Sequence, residues 1–322
     1  MNAMAVAERL TALDRLAAQR GIALTRDAPL GPLTTLRVGG PADRLAVAET
    51  VDELVGALEL ARDAGVPAGV LGKGSDVVVA DAGVRGLVIR NRADTIEIDG
   101  RRIRAGGGAA MAALVKRCTG AGLTGIEFGI SIPGTVGGAV WANAGAHGGE
   151  MKDVVRGVRA WSPGEGVVEL APAECRFGYR ESRFKATGEI VLAAELELAD
   201  GEPDLIAERV GELQAHRRAT QPLAEQNAGS VFRNPPGDFS GRLIDEAGLK
   251  GFRIGSAEVS TLHGNFIVVD RGGLATDVRA VGDHVRLVVA ERFGTELRYE
   301  IEFVGDWPVD LRPPPSPLAG VA

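Results

Sequence analysis

The sequence predicts an α+β fold, and three observations support that prediction. Short apolar segments bounded by turn residues recur along the whole chain, while helical patterns are few. Glycine is unusually frequent, with 45 among 322 residues, and it clusters in short loops without a fixed repeat. Hydrophobic residues make up 45% of the chain, which is enough to build the cores of two or three packed units.

Helices alternate with short strands in the first third of the chain. Residues 3–20 have an amphipathic helical pattern, and Thr50 with Glu53 forms a capping box for a second helix that ends near Gly65. Asp99-Gly100 separates two alternating segments, which is a strong hairpin signal. The other elements predicted in this part are strands at 68–71, 77–79 and 86–89 and a helix at 109–118.

The rest of the chain contains a boundary near residue 220, where the pattern of strands and helices restarts. Before it, we predict strands near 154–161, 166–170 and 189–198 and a helix at 203–218. After it, we predict helices near 241–247 and 276–293 and strands near 252–259, 265–269 and 297–304. This last part is predicted to be a separate α/β unit.

Composition and charge exclude several classes of protein. The net charge is -7 and the basic residues form no block, which argues against a nucleic-acid partner. Residues 1–20 lack the continuous apolar core of a signal peptide, and no later run is long enough to span a membrane. Cys118 and Cys175 have no Cys or His partner at ligand spacing, so we expect no metal site. We expect a cytoplasmic monomer without a membrane partner.

The loop Leu71-Gly-Lys-Gly-Ser-Asp76 is the first of two glycine-rich loops that suit an anionic ligand. Its small residues leave backbone N–H groups free to face an anion, and Ser75 adds a hydroxyl donor. It fits neither a Walker loop nor a Rossmann fingerprint, and a plain turn would explain it equally well. The candidate cofactor contacts in this loop are Gly72, Lys73, Gly74 and Ser75.

The second glycine-rich loop is Ile132-Pro-Gly-Thr-Val-Gly-Gly138. Pro133-Gly134 sets a turn, and Thr135 is placed to cap the short helix predicted to follow. A loop that ends at a helix N-terminus suits a diphosphate. Two such loops predict a dinucleotide whose phosphates lie between two subdomains, with Pro133, Gly134, Thr135, Gly137 and Gly138 as candidate contacts.

A series of motifs occurs in one order along the chain and carries a specific resemblance. The motifs are Gly39-Gly-Pro-Ala-Asp43, Leu71-Gly-Lys-Gly-Ser75, Gly125-Ile-Glu-Phe128, Ile132-Pro-Gly-Thr-Val-Gly-Gly138, Asn143-Ala-Gly145, Tyr179-Arg-Glu-Ser182, Gly229-Ser-Val-Phe-Arg-Asn-Pro235 and Glu300-Ile-Glu-Phe-Val-Gly305. Each motif alone is weak. Together they make residues 20–306 closely resemble the UDP-N-acetylenolpyruvoylglucosamine reductase family.

The resemblance implies a fold, a cofactor and a reaction. The fold is an FAD-binding module of the vanillyl-alcohol-oxidase type in two subdomains, followed by a substrate domain. The expected boundaries are an N-terminal helix at 1–20, FAD subdomains at 21–95 and 96–218, a substrate domain at 219–306 and a disordered tail at 307–322. The implied reaction is NADPH-dependent reduction of an enolpyruvyl ether of UDP-N-acetylglucosamine through non-covalent FAD, in peptidoglycan precursor synthesis.

The resemblance also assigns three catalytic residues whose chemistry suits an enolate-like intermediate. Arg180 can bind a carboxylate through two parallel hydrogen bonds. Without the resemblance, an exposed ion pair between Arg180 and Glu181 would be the more usual reading. Ser230 suits proton delivery, although a turn serine is the commoner reading of Gly-Ser before Asn-Pro. Alternation places Glu300 on one face of a predicted strand together with Glu302, and the family pattern selects Glu300.

The resemblance names substrate contacts, and the chain departs from the family at some of the matching positions. Tyr179, Arg217 and Asn234 are the candidate substrate-binding residues. Asp76 stands where the family usually has Asn, and a carboxylate beside a diphosphate is unfavourable unless it points away, so Asp76 is not a predicted FAD contact. Thr220 replaces a common Lys, which leaves Arg217 or Arg218 to supply positive charge. The chain resembles the shorter, second type of the family.

Two alternative functions remain open from the sequence. One is another FAD oxidoreductase with the same module, such as an alcohol or amine oxidase, which would not need the Gly229–Pro235 motif. The other is a non-catalytic flavin or sugar-nucleotide binding protein, which would not be expected to keep Arg180, Ser230 and Glu300 together. Turnover with NADPH distinguishes these two alternatives from the reductase that the resemblance implies.

Overall fold

The computed structural model describes residues 3–311 of the chain. Its α-helices are α1 (Ala3–Arg20), α2 (Val51–Ala64), α3 (Met111–Gly120), α4 (Val136–Trp141), α5 (Met151–Val154), α6 (Arg183–Thr187), α7 (Pro203–Thr220), α8 (Ser240–Glu246) and α9 (Ala275–Phe293). Short 3-10 helices occur at Gly31–Leu33, Glu127–Ser131 and Val309–Leu311. Within these residues, no helix is both long enough and apolar enough to cross a membrane.

The strands of the described residues are short, as predicted. They are β1 (Thr25–Pro29), β2 (Pro41–Ala48), β3 (Ala68–Leu71), β4 (Val77–Val79), β5 (Val84–Asn91), β6 (Ile96–Asp99), β7 (Arg102–Gly106), β8 (Leu123–Thr124), β9 (Gly145–Ala146), β10 (Gly149–Glu150), β11 (Val155–Ser162), β12 (Gly166–Leu170), β13 (Ile190–Glu197), β14 (Ala199–Asp200), β15 (Gln226–Asn227), β16 (Arg253–Ile254), β17 (Ala257–Val259), β18 (Ile267–Val269) and β19 (Glu302–Val304).

The first sheet has the order β1-β2-β5-β3, with β2, β5 and β3 parallel and β1 antiparallel at one edge. Helices α1 and α2 cover it and share a core with its strands. Helix α2 starts at Thr50, whose hydroxyl accepts from the Glu53 backbone N–H, and ends at left-handed Gly65, as predicted. The Glu53 carboxylate accepts from the N–H of Glu49 rather than that of Thr50, so the predicted capping box is only half formed.

The second sheet has the order β12-β11-β13-β7-β6 and is antiparallel. The predicted hairpin is confirmed, because β6 and β7 pair directly and Gly100 at its turn has a φ of +55°. Helices α3, α4 and α7 contribute to the core behind this sheet, and Met111, Leu114 and Leu213 are among its buried side chains.

The C-terminal part forms a sheet of order β15-β18-β17-β16, which α9 covers. It is not isolated from the N-terminal part. Strand β19 pairs in parallel with β4, and Leu36 and Val38 are buried in the same core as α9. The Asp81 carboxylate accepts from the first backbone N–H groups of α9, at 2.8 Å from Ala275 N. The first and last parts of the chain therefore fold against each other, whereas the predicted domain boundaries stay predictions.

Two sequence predictions are corrected at the C-terminal end. The strand predicted at 297–304 is limited to 302–304, because Tyr299 forms only an isolated bridge with Phe232. The predicted disordered tail begins too early, since Trp307 is buried against Phe303 and its indole N–H donates to the Val304 carbonyl. The rest of that predicted tail, from residue 312, lies outside the described residues.

Candidate active site

A cavity of about 430 Å³ lies where both glycine-rich loops meet the second sheet and the C-terminal part. Both loops line it together with residues from the chain after α4, from α6 and from the end of α7. The candidate residues on its wall are Gly72, Lys73, Gly74, Ser75, Pro133, Gly134, Thr135, Gly137, Gly138, Arg180, Arg217, Ser230 and Glu300. Residues separated by more than 200 positions in the sequence thus share one wall.

The first glycine-rich loop joins β3 to β4 and packs directly on the second loop. A Cβ atom at Gly72 would lie 2.6 Å from Thr135 Oγ1, so the close approach of the two loops requires glycine there. The backbone N–H groups of Gly74 and Ser75 have no hydrogen-bond partner among residues 3–311. They are available to an anion in the cavity.

The second glycine-rich loop leads into α4. Thr135 caps this helix, as predicted, with its hydroxyl accepting from the Gly138 backbone N–H. A Cβ atom at Gly137 would lie 2.9 Å from the carbonyl oxygen of Gly107, which again excludes a side chain. Within the described part of the chain, the N–H groups of Gly134 and Thr135 are also without a partner. Two loops therefore present main-chain donors to the same cavity.

Arg180 lies at the tip of a tight turn. Gly178 and Glu181 close the turn with two backbone hydrogen bonds, and Arg180 has a φ of +55°, in the left-handed region that non-glycine residues avoid. The side-chain amide of Asn143, which is fully buried, donates to the Gly178 carbonyl at 2.8 Å and anchors the turn. The turn and its anchor therefore fix the backbone of Arg180 at the cavity wall.

The guanidinium of Arg180 is oriented by two acceptors. Its Nε donates to Glu300 Oε1 at 2.7 Å, and its Nη2 donates to the Gly145 carbonyl at 2.8 Å. Arg180 and Glu300 keep 17% and 25% of their side-chain surface exposed, so the pair is partly buried at the cavity wall. The alternative reading of Arg180 as a surface partner of Glu181 is wrong, since Glu181 pairs with Arg233 instead.

Ser230 is brought beside Glu300 by the backbone. The Glu300 N–H donates to the Val231 carbonyl at 2.8 Å, which makes the two segments neighbours. Gly229, with a φ of +76°, turns the chain just before Ser230, and the Asn227 side chain accepts from its N–H. The Ser230 hydroxyl has no hydrogen-bond partner in residues 3–311 and lines the cavity. It is therefore available to a ligand.

A second charged group, which the sequence analysis did not predict, lies next to this pair. Lys185 on α6 is buried, with its ammonium 3.3 Å from Glu302 Oε1 and 4.2 Å from the centre of the Trp141 ring. Asp76 also lines the cavity, and burial together with the nearby charge of Glu302 raises the pKa of its carboxyl group to about 6. No pattern in the sequence predicts that α6 packs next to Glu302, so this group of charged residues is visible only in the tertiary structure.

The three predicted substrate contacts do not lie together. Arg217 lines the cavity, and its Nε donates to the Gln221 side chain at 3.0 Å. Burial lowers the pKa of its guanidinium. Tyr179 and Asn234 lie outside the cavity lining, where the Tyr179 hydroxyl accepts from the Asn234 N–H and the Asn234 side-chain oxygen accepts from the first N–H of α8. Their assignment to substrate binding stays a prediction.

Burial shifts the pKa of three other titratable side chains. His147 lines the cavity and hydrogen-bonds Ser131 at 3.0 Å, and burial beside His216 lowers its pKa. Burial raises the pKa values of Cys118 and Cys175 to about 11, which keeps both thiols protonated. Among residues 3–311, no group of three His, Cys, Asp or Glu side chains is placed to hold a metal ion.

Comparison with protein families gives two matches. Residues 42–171 match the FAD binding domain, and residues 221–304 match the C-terminal domain of UDP-N-acetylenolpyruvoylglucosamine reductase. The first range contains both glycine-rich loops, and the second contains Ser230 and Glu300.

Individual proteins give the same result over most of the chain. UDP-N-acetylenolpyruvoylglucosamine reductase 2 of Symbiobacterium thermophilum is 43% identical over 288 residues, covering 88% of this chain and 93% of that protein. The reductase of Heliobacterium modesticaldum is 44% identical over 281 residues, covering 86% and 90%. The crystal structure of the reductase from Thermus caldophilus superposes with a TM-score of 0.75 at 37% identity, covering 88% and 98%. The predicted fold class, with an FAD-binding module ahead of a C-terminal domain, is confirmed.

Proposed function

Because the chain belongs to the UDP-N-acetylenolpyruvoylglucosamine reductase family and contains its FAD-binding domain, we propose that it reduces the enolpyruvyl ether of UDP-N-acetylglucosamine with NADPH. The product is UDP-N-acetylmuramate, a precursor of peptidoglycan. The observation that carries the proposal is one cavity whose wall joins two loops of free main-chain donors to Arg180, Ser230 and Glu300.

The glycine-rich loops fit the diphosphate of FAD. The unpaired N–H groups of Gly74, Ser75, Gly134 and Thr135 come from both loops and belong to residues on the same cavity wall. An anion bridging the loops would satisfy donors that are otherwise left without a partner. When bound, FAD supplies the hydride-transfer chemistry between NADPH and the vinyl carbon of the substrate.

Arg180 is proposed to bind the substrate carboxylate. Negative charge develops on this carboxylate and the neighbouring carbon when the double bond is reduced, and a fixed cation stabilises it. Two of the Arg180 nitrogens are already held by Glu300 and Gly145, which leaves the third, Nη1, for the substrate. Because the turn and its partners fix the guanidinium beforehand, little reorganisation accompanies the reaction.

Ser230 is proposed to deliver the proton that completes the reduction. Its hydroxyl is free of internal hydrogen bonds in the described residues and lies on the cavity wall. A hydroxyl is a weak acid, but the carbon of an enolate-like intermediate is a strong base, so transfer is favourable.

Glu300 is proposed to act through Arg180. As a carboxylate that accepts from Nε, it fixes the plane of the guanidinium and balances its charge in the cavity wall. This role differs from direct stabilisation of the intermediate, which would require a protonated Glu300.

Steady-state turnover tests the proposal. We expect the purified holoprotein to oxidise NADPH when the enolpyruvyl ether is added and to form UDP-N-acetylmuramate in equal amount, under anaerobic conditions. Hydrogen peroxide formation in air with an alcohol or amine as the electron donor, without turnover of the enolpyruvyl ether, would instead indicate an oxidase of the same module. Tight binding of FAD without any turnover would indicate a binding protein. Either result would contradict the proposed function.

A further inference from the structure

Asp76 occupies an unexpected place for a carboxylate. It follows the first glycine-rich loop directly and lines the cavity that fits FAD. Its backbone carbonyl accepts from the Glu302 N–H at 2.8 Å, so the pairing of β4 with β19 holds the Asp76 backbone in place. Close to a diphosphate, an ionised carboxyl group would repel the cofactor.

The charges around Asp76 do not neutralise it. Glu302 approaches from β19, which pairs with β4, Glu300 from the segment just before β19, and Lys185 from α6. Lys185 is 3.3 Å from Glu302, and Arg180 is paired with Glu300 at 2.7 Å. None of the cations in residues 3–311 forms an ion pair with Asp76. Three acidic groups thus face two basic groups, and Asp76 is the acid left without its own cation.

We propose that Asp76 binds FAD as a neutral carboxylic acid, so that FAD binding takes up one proton. The cofactor excludes water from the cavity wall and brings the negative charges of its diphosphate, and both effects favour the uncharged form of a nearby carboxyl group. A neutral carboxyl group has an O–H donor, which it can offer to the cofactor in addition to the main-chain donors of the loops.

The proposal predicts the direction in which FAD affinity changes with pH. Burial and the charge of Glu302 place the pKa of Asp76 at about 6 before FAD binds, and the bound cofactor raises this pKa further. FAD affinity is then greatest at and below about pH 6, because protonation there costs little. It falls as the pH rises towards the higher pKa of the complex, by up to about tenfold per pH unit for one proton.

Cofactor retention by the holoprotein measures this linkage. Dilute holoprotein is equilibrated between pH 6 and 8, and free FAD is separated by ultrafiltration and measured by absorbance. For the wild type we expect the dissociation constant to rise with pH with a slope approaching tenfold per unit. Asp76→Asn, which is neutral and keeps a donor, should bind FAD with little pH dependence. Asp76→Ala should also lose the pH dependence and bind roughly threefold to tenfold more weakly than Asp76→Asn, as expected for one lost hydrogen bond.

A matched control and a second variant keep the test decisive. Asp99→Asn, at the exposed β6–β7 turn, should keep the wild-type slope. Should Asp76→Asn fail to fold, Asp76→Ser provides the neutral donor.

A wild-type dissociation constant that does not change with pH would overturn the proposal. So would a slope that persists in the Asp76 variants, since it would then belong to another group such as His147. The measurement uses neither NADPH nor substrate, so it rests on FAD binding alone and is independent of the proposed reaction.

Discussion

Two parts of the cavity wall, named here the glycine end and the charged end, differ in the groups that they offer to a ligand. The glycine end, formed by Gly72–Ser75 and Pro133–Gly138, presents main-chain N–H groups from loops that pack against each other. The charged end, formed by Arg180, Lys185, Ser230 and Glu300, presents side chains from separate segments. The first depends on the absence of side chains and the second on contacts between distant residues.

This difference predicts different consequences of substitution at the two ends. A side chain added at the glycine end displaces the backbone and should weaken FAD binding. A side chain changed at the charged end leaves the loops intact and should slow the reaction of the substrate while FAD remains bound. The following variants test this division, from the largest expected effect to the smallest.

Ser230→Ala should have the largest effect, and only on the second half-reaction. Flavin reduction by NADPH needs no proton on the substrate carbon, so its rate should stay near that of the wild type. Reoxidation by the enolpyruvyl ether should slow by ~10²–10⁴-fold, as is typical for loss of a positioned acid. Anaerobic stopped-flow absorbance of the flavin separates the two steps.

The matched variant at the same position is Ser230→Cys. A thiol can still deliver a proton, so this variant should react faster than Ser230→Ala. Should the alanine variant reoxidise as fast as the wild type, Ser230 would be only a turn residue.

Arg180→Lys should slow the same half-reaction by roughly 10- to 100-fold, which corresponds to one or two lost charge-assisted hydrogen bonds. An ammonium lacks the planar fork that reaches Glu300, Gly145 and the substrate together. The rate constant comes from the same stopped-flow traces, and Arg159→Lys, at an exposed position of β11, is the control. Equal reoxidation rates for Arg180→Lys and the wild type would remove Arg180 from carboxylate binding.

Gly137→Ala should weaken the glycine end. Its Cβ would lie 2.9 Å from the Gly107 carbonyl oxygen, so the loop has to shift, at a cost of about 1–3 kcal/mol. We expect a lower melting temperature and weaker FAD retention, measured by thermal unfolding and ultrafiltration. Gly56→Ala on α2, where a Cβ meets no atom within 4 Å, should keep FAD as the wild type does. Unchanged FAD retention by Gly137→Ala would contradict the account of this end.

Asp14→Asn should have the smallest effect, because Asp14 lies outside the cavity lining. Asp14 anchors α1 to the first sheet through Arg44, whose Nε and Nη2 donate to it at 2.7 and 2.8 Å. These bonds lower the pKa of Asp14, so their contribution to stability is present near neutral pH and is lost as the pH falls through that lowered pKa.

The melting temperature measures this effect. At pH 7 the variant should lose about 1 kcal/mol of stability, and the difference from the wild type should disappear in acid, with turnover unchanged. Asp94→Asn, at an exposed aspartate, is the control. A destabilisation that is equal at pH 7 and in acid would show that the ion pair is not its cause.

The sequence predicts local structure best where a single residue type determines it. Asp99-Gly100 identifies the β6–β7 hairpin because its turn needs a residue with positive φ, and Gly100 provides it. Thr135 identifies the start of α4 because its side chain completes the cap. The strand predicted at 297–304 is too long, because its first residues pair with 231–233 by only an isolated bridge.

The residues of the site also differ in how far the sequence predicts them. Both glycine-rich loops can be located from the sequence by their clustered glycines. A plain turn would explain the first loop equally well, and only the structure shows that Gly72 packs against Thr135 of the second loop. Arg180, Ser230 and Glu300 are recognised only through motifs that occur together. The pairing of Lys185 with Glu302 joins residues 117 positions apart, and periodicity carries no information about such contacts. The sequence also could not predict the protonation state of Asp76, because that state depends on charged side chains that only the fold brings near it.

The central claim is that the charged end of the cavity completes the reduction of an enolpyruvyl ether. It is tested most directly by reducing the bound flavin with one equivalent of dithionite under anaerobic conditions and then adding UDP-N-acetylglucosamine enolpyruvyl ether. We predict that the absorbance of oxidised flavin returns fully and that one UDP-N-acetylmuramate forms for each FAD. Flavin that stays reduced until oxygen is admitted would contradict the account.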